Sequence, residues 1–283
     1  MPGRRIDLHT HSTASDGTTP PDVLVREARE AGLDVVALTD HDTTGGWSAA
    51  EAALPEGLTL VRGAEISCVA GTTSLHLLAY LFDPAEPVFA AARRELRDSR
   101  TGRAEQMARL LEDAGTGVTW ERVRQLAGGT VGRPHVAQAL VEQGHVATVS
   151  DAFVPEWIGT GGRFWVDKVE IDALDAVRMV AGAGGVSVFA HPHATVRGRT
   201  VDDQVVVDMA AAGLAGLEVD HVDHAPEERQ HLLGLAAELD LLTTGSSDFH
   251  GTAKTVRLGA CTTAEAAYER LVAAARGVAV LRA

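Results

Sequence analysis

Twelve histidines are present, and their placement says more than their number. His9 and His11 close a short apolar run with only Thr10 between them. In an extended segment, side chains i and i+2 point to the same side, so these two imidazoles can share one metal ion. Asp16 follows in a Ser/Thr/Gly loop. Later apolar runs end in Thr39-Asp40-His41-Asp42, at Glu65, in Ala190-His191-Pro192-His193, in Glu218-Val219-Asp220-His221 and in Ser246-Ser247-Asp248-Phe249-His250-Gly251. His76 sits inside the run Leu75-His76-Leu77-Leu78. Each has an ordinary use when taken alone. His76 can be a satisfied core imidazole, Asp40 a helix cap and Asp248 a turn former. Repetition at successive strand ends is what an assembled site requires. Imidazole and carboxylate without thiolate suit Zn, Mn or Fe. A bridging carboxylate such as Glu65 could hold two ions about 3.5–4 Å apart, the spacing of two-metal hydrolysis.

The elements that must position these groups alternate in type. Strand-length apolar runs cover 4–8, 34–38, 59–64, 74–81, 185–190, 215–219, 241–244 and 257–261, and helical patterns cover 21–31, 172–183, 202–212, 227–239 and 264–276. Such alternation predicts an α/β fold with a parallel sheet, closed or open. Acids and imidazoles at the C-terminal ends of strands are where barrel sites are built. Residues 87–165 read differently, as consecutive helices over 93–114, 120–127 and 133–142 that return through Gly159-Thr160-Gly161-Gly162. They are expected to form a helical insert, a cap over the site, between barrel segments 1–86 and 166–283. Outer helices of a single barrel are the alternative.

The bulk properties narrow the choice. The chain has 283 residues, 45% of them hydrophobic, enough for a barrel with a smaller insert. No run reaches the roughly 18–20 apolar residues of a membrane span, and the N-terminus shows no signal-peptide pattern, so the chain reads as soluble and cytoplasmic. A net charge of −14 argues against wrapping nucleic acid with a broad basic surface. It still permits a small anionic substrate held by a local pocket of cations. Lys168 and Lys254 are the only lysines; the rest of the basic residues are Arg, which suits bidentate phosphate contacts. Cys68 and Cys261 form no CxxC pair and no disulfide framework and are expected to be buried thiols. No P-loop, GxGxxG turn, GxSxG elbow or HExxH helix occurs, which leaves nucleotide-driven transfer, dehydrogenase, serine-hydrolase and zinc-protease readings little support.

Taken in order, Ile6-Asp7-Leu8-His9-Thr10-His11-Ser12, Thr39-Asp40-His41-Asp42, Glu65, His76, Ala190-His191-Pro192 and Ser247-Asp248-Phe249-His250-Gly251 resemble the motifs of the PHP (polymerase and histidinol phosphatase) superfamily. The resemblance spans nearly the whole chain. It implies a distorted (β/α)7 TIM-like barrel with two or three divalent metal ions at the strand C-termini. Carried over by motif, His9, His11, Glu65 and Asp248 would hold one ion, and Glu65, His76 and His191 a second. Asp16, His41 and His250 would hold a third, with Asp40 a further ligand or a partner orienting an imidazole. Gly132-Arg133-Pro134-His135 and Glu218-Val219-Asp220-His221 resemble the stand-alone phosphoesterases of that superfamily, which include 3′,5′-nucleoside bisphosphate phosphatases and 5′→3′ oligoribonucleases. The implied activity is metal-dependent hydrolysis of a phosphomonoester on a small nucleotide, or trimming of short single-stranded RNA. Arg133 and His135 would then reach the substrate phosphate, Arg197 and Arg199 would be further phosphate contacts, and Asp40, His221 and Arg133 would assist catalysis. His193 stands where a small residue, usually Gly, is expected after His-Pro. Histidinol-phosphate phosphatase and a non-catalytic module for polymerase assembly are the rival readings; the oligomeric state is left open.

Overall fold

The structure is a computed structural model and describes residues 3–283, so Met1 and Pro2 of the expected segment 1–86 lie outside the described residues. Its strands are β1 (Ile6–Asp7), β2 (Val35–Leu38), β3 (Thr59–Ala70), β4 (Thr73–Tyr80), β5 (Ile171–Asp172), β6 (Val186–Phe189), β7 (Gly216–Asp220), β8 (Leu242–Gly245) and β9 (Leu281–Arg282). The helices are α1 (Pro21–Glu30), α2 (Trp47–Ala52), α3 (Pro87–Asp113), α4 (Trp120–Leu126), α5 (Arg133–Glu142), α6 (Ala173–Gly182), α7 (Asp203–Ala212), α8 (Pro226–Glu238) and α9 (Glu265–Ala274). Hydrogen-bonded neighbours run β1-β2-β3-β4-β6-β7-β8, with β5 and β9 pairing onto β3. The path curls back on itself: Thr10 bridges Phe249, and the His11 amide donates to the Phe249 carbonyl at 2.8 Å. This is the distorted, nearly closed seven-strand barrel that the family resemblance implies.

Two strands depart from the expected parallel sheet: β4, and the short β9, which pairs antiparallel with β3. β4 runs antiparallel to both β3 and β6. The cause is a tight turn after Ala70, in which Gly71 takes φ 59° at no steric cost. β3 therefore does not stop at Glu65; the hairpin continues and sets His76 opposite Ser67. The run 257–261 is not a strand. Gly259 at φ 70° makes a turn there, and its amide donates to Asp7 Oδ2 at 2.8 Å. Helix α2 and the short strands β5 and β9 lie outside the sequence expectations. α3 starts earlier than its apolar stripe suggests, because Glu86 accepts from the amides of Val88 and Phe89 ahead of Pro87.

Two apolar layers follow from the period-2 alternation of the strands. Val36, Leu38, Leu60, Leu77, Phe189 and Leu217 face outward and pack with residues of α1, α6, α7 and α8. Val35, Ala37, Val61, Leu78, Val188 and Leu242 face inward and meet Tyr268 and Leu271 of α9, which plug one end. Burying each such Leu or Val stabilises the fold by roughly 1.5–3 kcal/mol. Glu65, His76 and Glu218 share the inward parity of Val61, Leu78 and Gly216 and so project into the barrel's other end. The insert buries a third cluster of its own, drawn only from residues 104–164 and including Met107, Leu111, Val136 and Leu140. It touches the barrel where Thr130 donates to the Ala14 carbonyl, a contact so close that a Cβ on Gly129 would lie 2.4 Å from that oxygen.

Candidate active site

Glu65 lies at the centre of the barrel's open end. Its Oε1 is 2.8 Å from His76 Nδ1 and 3.1 Å from His191 Nε2. Its Oε2 is 3.2 Å from His9 Nε2, 3.0 Å from His11 Nε2 and 3.2 Å from His41 Nδ1. Asp248 Oδ1 approaches His9 at 3.4 Å and His11 at 3.5 Å. Asp16 faces His11, His41 and His250 at 3.5, 3.6 and 3.5 Å. Three overlapping groups can therefore each receive an ion: His9, His11 and Asp248; His41, Glu65 and His76; and His11, Asp16, His41 and His250. These eight side chains, all expected from the sequence, come together, and His191, the ninth, lies beside Glu65.

The protonation states favour cation binding. Burial, with Arg197 close by, pulls His191 down to about 3, and burial beside His11 and Lys254 pulls His250 down to about 3. Glu65 stays ionised although burial opposes it, because His76, His41 and His9 surround it. Burial also opposes charge on His9, yet Glu218, Glu65 and Asp248 hold its proton well above the ordinary imidazole range. A divalent ion at Nε2 would supply that positive charge instead. His41 Nδ1 is buried with no hydrogen-bond partner, and the Nε2 atoms of His9 and His11 are 3.0 Å apart. Neutral imidazoles facing ionised carboxylates are the donor set that divalent ions require, so the residues fit the group. His191 and Asp248 hold φ of 33° and 53°, and Asp42 holds 57°; such left-handed positions cost non-glycine residues energy and tend to occur at functional sites.

Two carboxylates act behind the rim. Glu218 takes His9 Nδ1 at 3.0 Å, the His191 amide at 2.7 Å and the Ser246 hydroxyl. It thereby fixes the tautomer and direction of His9. Asp40 accepts from the Ser12 amide and hydroxyl and from the Ser15 hydroxyl. Its oxygens are spent on the loop that carries His11 and Asp16, and it belongs to none of the three groups.

Above the rim lies a cavity of about 250 Å³. Asp16, His41, His76 and His250 line it from the barrel, and Arg100, Arg103, Arg133 and Lys168 line it from the insert and its return, with Lys254 at the side. Arg100 is anchored by Asp42 at 3.1 Å and Ser67 at 2.7 Å. Arg103 lies 4.2 Å from the Trp165 ring centre, and Arg133 lies 5.1 Å from those of Phe153 and Trp165. Neither pairs with a carboxylate among the described residues. Burial and neighbouring arginines lower Arg103 to about 9 and Arg133 to about 10, so both remain charged at neutral pH. Lys168 falls to about 8 through burial and Arg100, despite Glu170.

The other expected contacts sit elsewhere. His135 is buried and accepts the Gly132 amide at 3.0 Å, capping α5 rather than lining the cavity. Arg197 spans Asp223 and Asp248, both at 2.6 Å. Arg199 is exposed and does not line the cavity. His221 is fully buried; its Nδ1 accepts the Asp223 amide, which leaves Nε2 facing Asp248 at 3.6 Å. Arg100, Arg103, Lys168, Lys254 and Glu218 were given no site role from the sequence. Glu218 had a readable signal, a lone acid between Leu217 and Val219 in an apolar strand.

The profile of the PHP domain matches residues 7–127. A 5′-3′ exoribonuclease of Haemophilus influenzae is 35% identical over 90% of this chain and 93% of its own length. The chain belongs to the PHP domain family. A 3′,5′-nucleoside bisphosphate phosphatase of Chromobacterium violaceum is 36% identical over 87% of each chain. Among solved structures, a candidate metal-dependent phosphoesterase of Bifidobacterium adolescentis superposes with a TM-score of 0.91 at 36% identity, covering 97% of this chain and 98% of that one. Among the described residues of this PHP protein, no helix is long and apolar enough to cross a membrane.

Proposed function

We propose that this PHP protein hydrolyses phosphomonoesters of small nucleotides, with a 3′,5′-nucleoside bisphosphate, cleaved to the 5′-monophosphate, as its preferred class. One observation carries the reading: a rim able to hold metal ions and a roof with two guanidinium groups free of carboxylate partners among the described residues, those of Arg103 and Arg133, face each other across one small cavity. A substrate with two separate phosphates would satisfy both. The relatives named above support the choice. His9, His11, Glu65, His76, His191 and Asp248 would hold two ions, and Asp16, His41 and His250 a third; Mn, Zn or Fe suit that donor set. When bound, the ions would polarise the phosphoryl group and lower the pKa of water. The chain's own residues do the rest. Glu218 and Asp40 keep the ligand side chains aimed, Arg103 and Arg133 orient the second phosphate, and the insert, acting as a cap, excludes bulk water. Phe153 lines the cavity beside Arg133 and would offer a face for a base, which supports short RNA as a second substrate. Products would be measured from 3′,5′-bisphosphates and short oligoribonucleotides with Mn, Zn or Fe, for wild type and His9→Ala. Metal-dependent phosphate release that is lost in the variant is expected. Undiminished release in His9→Ala would overturn the assignment.

A further inference from the structure

A second constellation of ligand-type groups lies away from the cavity, between the loop after β6 and two outer helices. It includes His193, the residue that stands where a small one was expected. Asp203 opens α7, and His231 projects from α8. Asp203 Oδ1 is 3.2 Å from His193 Nε2 and 2.9 Å from His231 Nε2, and the two rings are 5.2 Å apart. The donor atoms of all three residues lie within 4.8 Å of one another. Ligand atoms about 2.05 Å from a tetrahedral ion sit roughly 3.3 Å from each other, close to this spacing. His193 Nε2 is sealed from solvent yet has no hydrogen-bond partner. Its separation from Asp203 suits an ion pair, but its direction does not suit a hydrogen bond. One carboxylate oxygen satisfies one imidazole here, whereas a cation would satisfy all three groups.

We infer that His193, Asp203 and His231 form an auxiliary site for a divalent transition-metal ion of the zinc class. Two imidazoles and a carboxylate select such an ion over Mg or Ca, which take all-oxygen sets. Asp203 and His231 keep 44% and 47% of their side-chain surface exposed, so solvent completes the coordination and exchange is open. The ion joins three elements that the chain connects only by loops: α7, α8 and the turn His191-Pro192-His193. That turn presents His191 to Glu65 and leads to Arg197, which holds Asp248. Thr195 of the same loop already bonds Glu228 of α8, so the ion would be a second tie on the same side.

The test is a count of bound zinc. Metal-stripped full-length protein is titrated with zinc by calorimetry, and bound metal is measured after gel filtration. Asp203→Asn/His231→Gln should retain one zinc per chain fewer than wild type and lose one binding transition, or show it weakened at least tenfold. Magnesium should not fill the site. Equal zinc counts and superimposable isotherms would overturn the inference. His193→Gly is the second variant, since glycine accepts the φ of 60° found there; it should lose the same equivalent while its melting curve in chelator matches wild type. If that variant keeps the full count, the site is refuted even where the double variant folds poorly. The readout is metal bound, so it stands or falls separately from the proposed reaction.

Discussion

On the barrel rim each carboxylate of the site has an imidazole within 3.6 Å, and Glu65 alone meets five. In the insert, Arg103 and Arg133 rest on aromatic faces with no carboxylate partner among the described residues. The rim is close to internal balance and needs cations to complete it. The roof is unbalanced and needs an anion. The supports differ in the same way: rim ligands come from the sheet strands and the loops that follow them, and the arginines of the roof come from α3 and α5 over a separate core. The contrast assigns chemistry to the rim and selection to the roof, and it predicts which kinetic constant each region controls.

The largest effect should come from Glu65→Ala. Losing the group that meets five imidazoles should lower kcat roughly 10³-fold, at the upper end of single electrostatic deletions, with little change in KM. Chelation should abolish turnover in wild type, and adding Mn or Zn back should restore it. Steady-state kinetics with defined metal checks both. Turnover that survives chelation would remove the rim from the chemistry. A smaller loss is expected one layer back. Glu218→Gln keeps the shape but weakens the hold on His9 and His191, so metal affinity should fall about 10–100-fold. Added metal should then recover most of kcat, which Glu65→Ala would not allow.

These two residues also show how the sequence carries the site. Ligands at strand ends were legible because a polar residue in an apolar run is conspicuous, and His9, His11, Glu65 and His191 came from that signal. The hairpin was less visible, since nothing in 74–81 states which way a strand runs; Gly71 decides it through its left-handed φ. The run 257–261 looked like a strand because its apolar character is real, but Gly259 turns it so that its amide can hold Asp7. The roof was the least legible part. Arg100 and Arg103 lie on a helix with a long charged face, and only the packing of α3 on the barrel separates them from solvated arginines.

The roof should answer in KM. Arg133→Ala removes a half-buried guanidinium that lines the cavity, and a hydrogen bond to a charged group contributes about 1.5–3 kcal/mol. KM for a bisphosphate should therefore rise roughly 10–150-fold, with kcat within a few-fold. A substrate with only the scissile phosphate should be affected far less. If Arg133→Ala instead lowered kcat as deeply as Glu65→Ala at unchanged KM, the division between rim and roof would fail.

The smallest effect is a pH dependence, and its sign follows from Lys168. Burial and Arg100 depress this ammonium to about 8, against the pull of Glu170 at 3.0 Å and of Asp42. Below about 8 the cavity carries this charge as well as its arginines; above it Lys168 turns neutral first, Arg103 follows only near 9 and Arg133 near 10. Substrate binding should thus weaken as pH rises from 7 to 9, and KM should climb by a few-fold. Bound phosphate favours the charged form, so the inflection should move upward in the complex. Lys168→Met should show a higher KM at pH 7 and no inflection near 8. KM is the quantity to follow, because titrations at the rim act on kcat. A wild-type KM that stays flat across this range would show that Lys168 does not face the substrate and that the arginines alone make the roof.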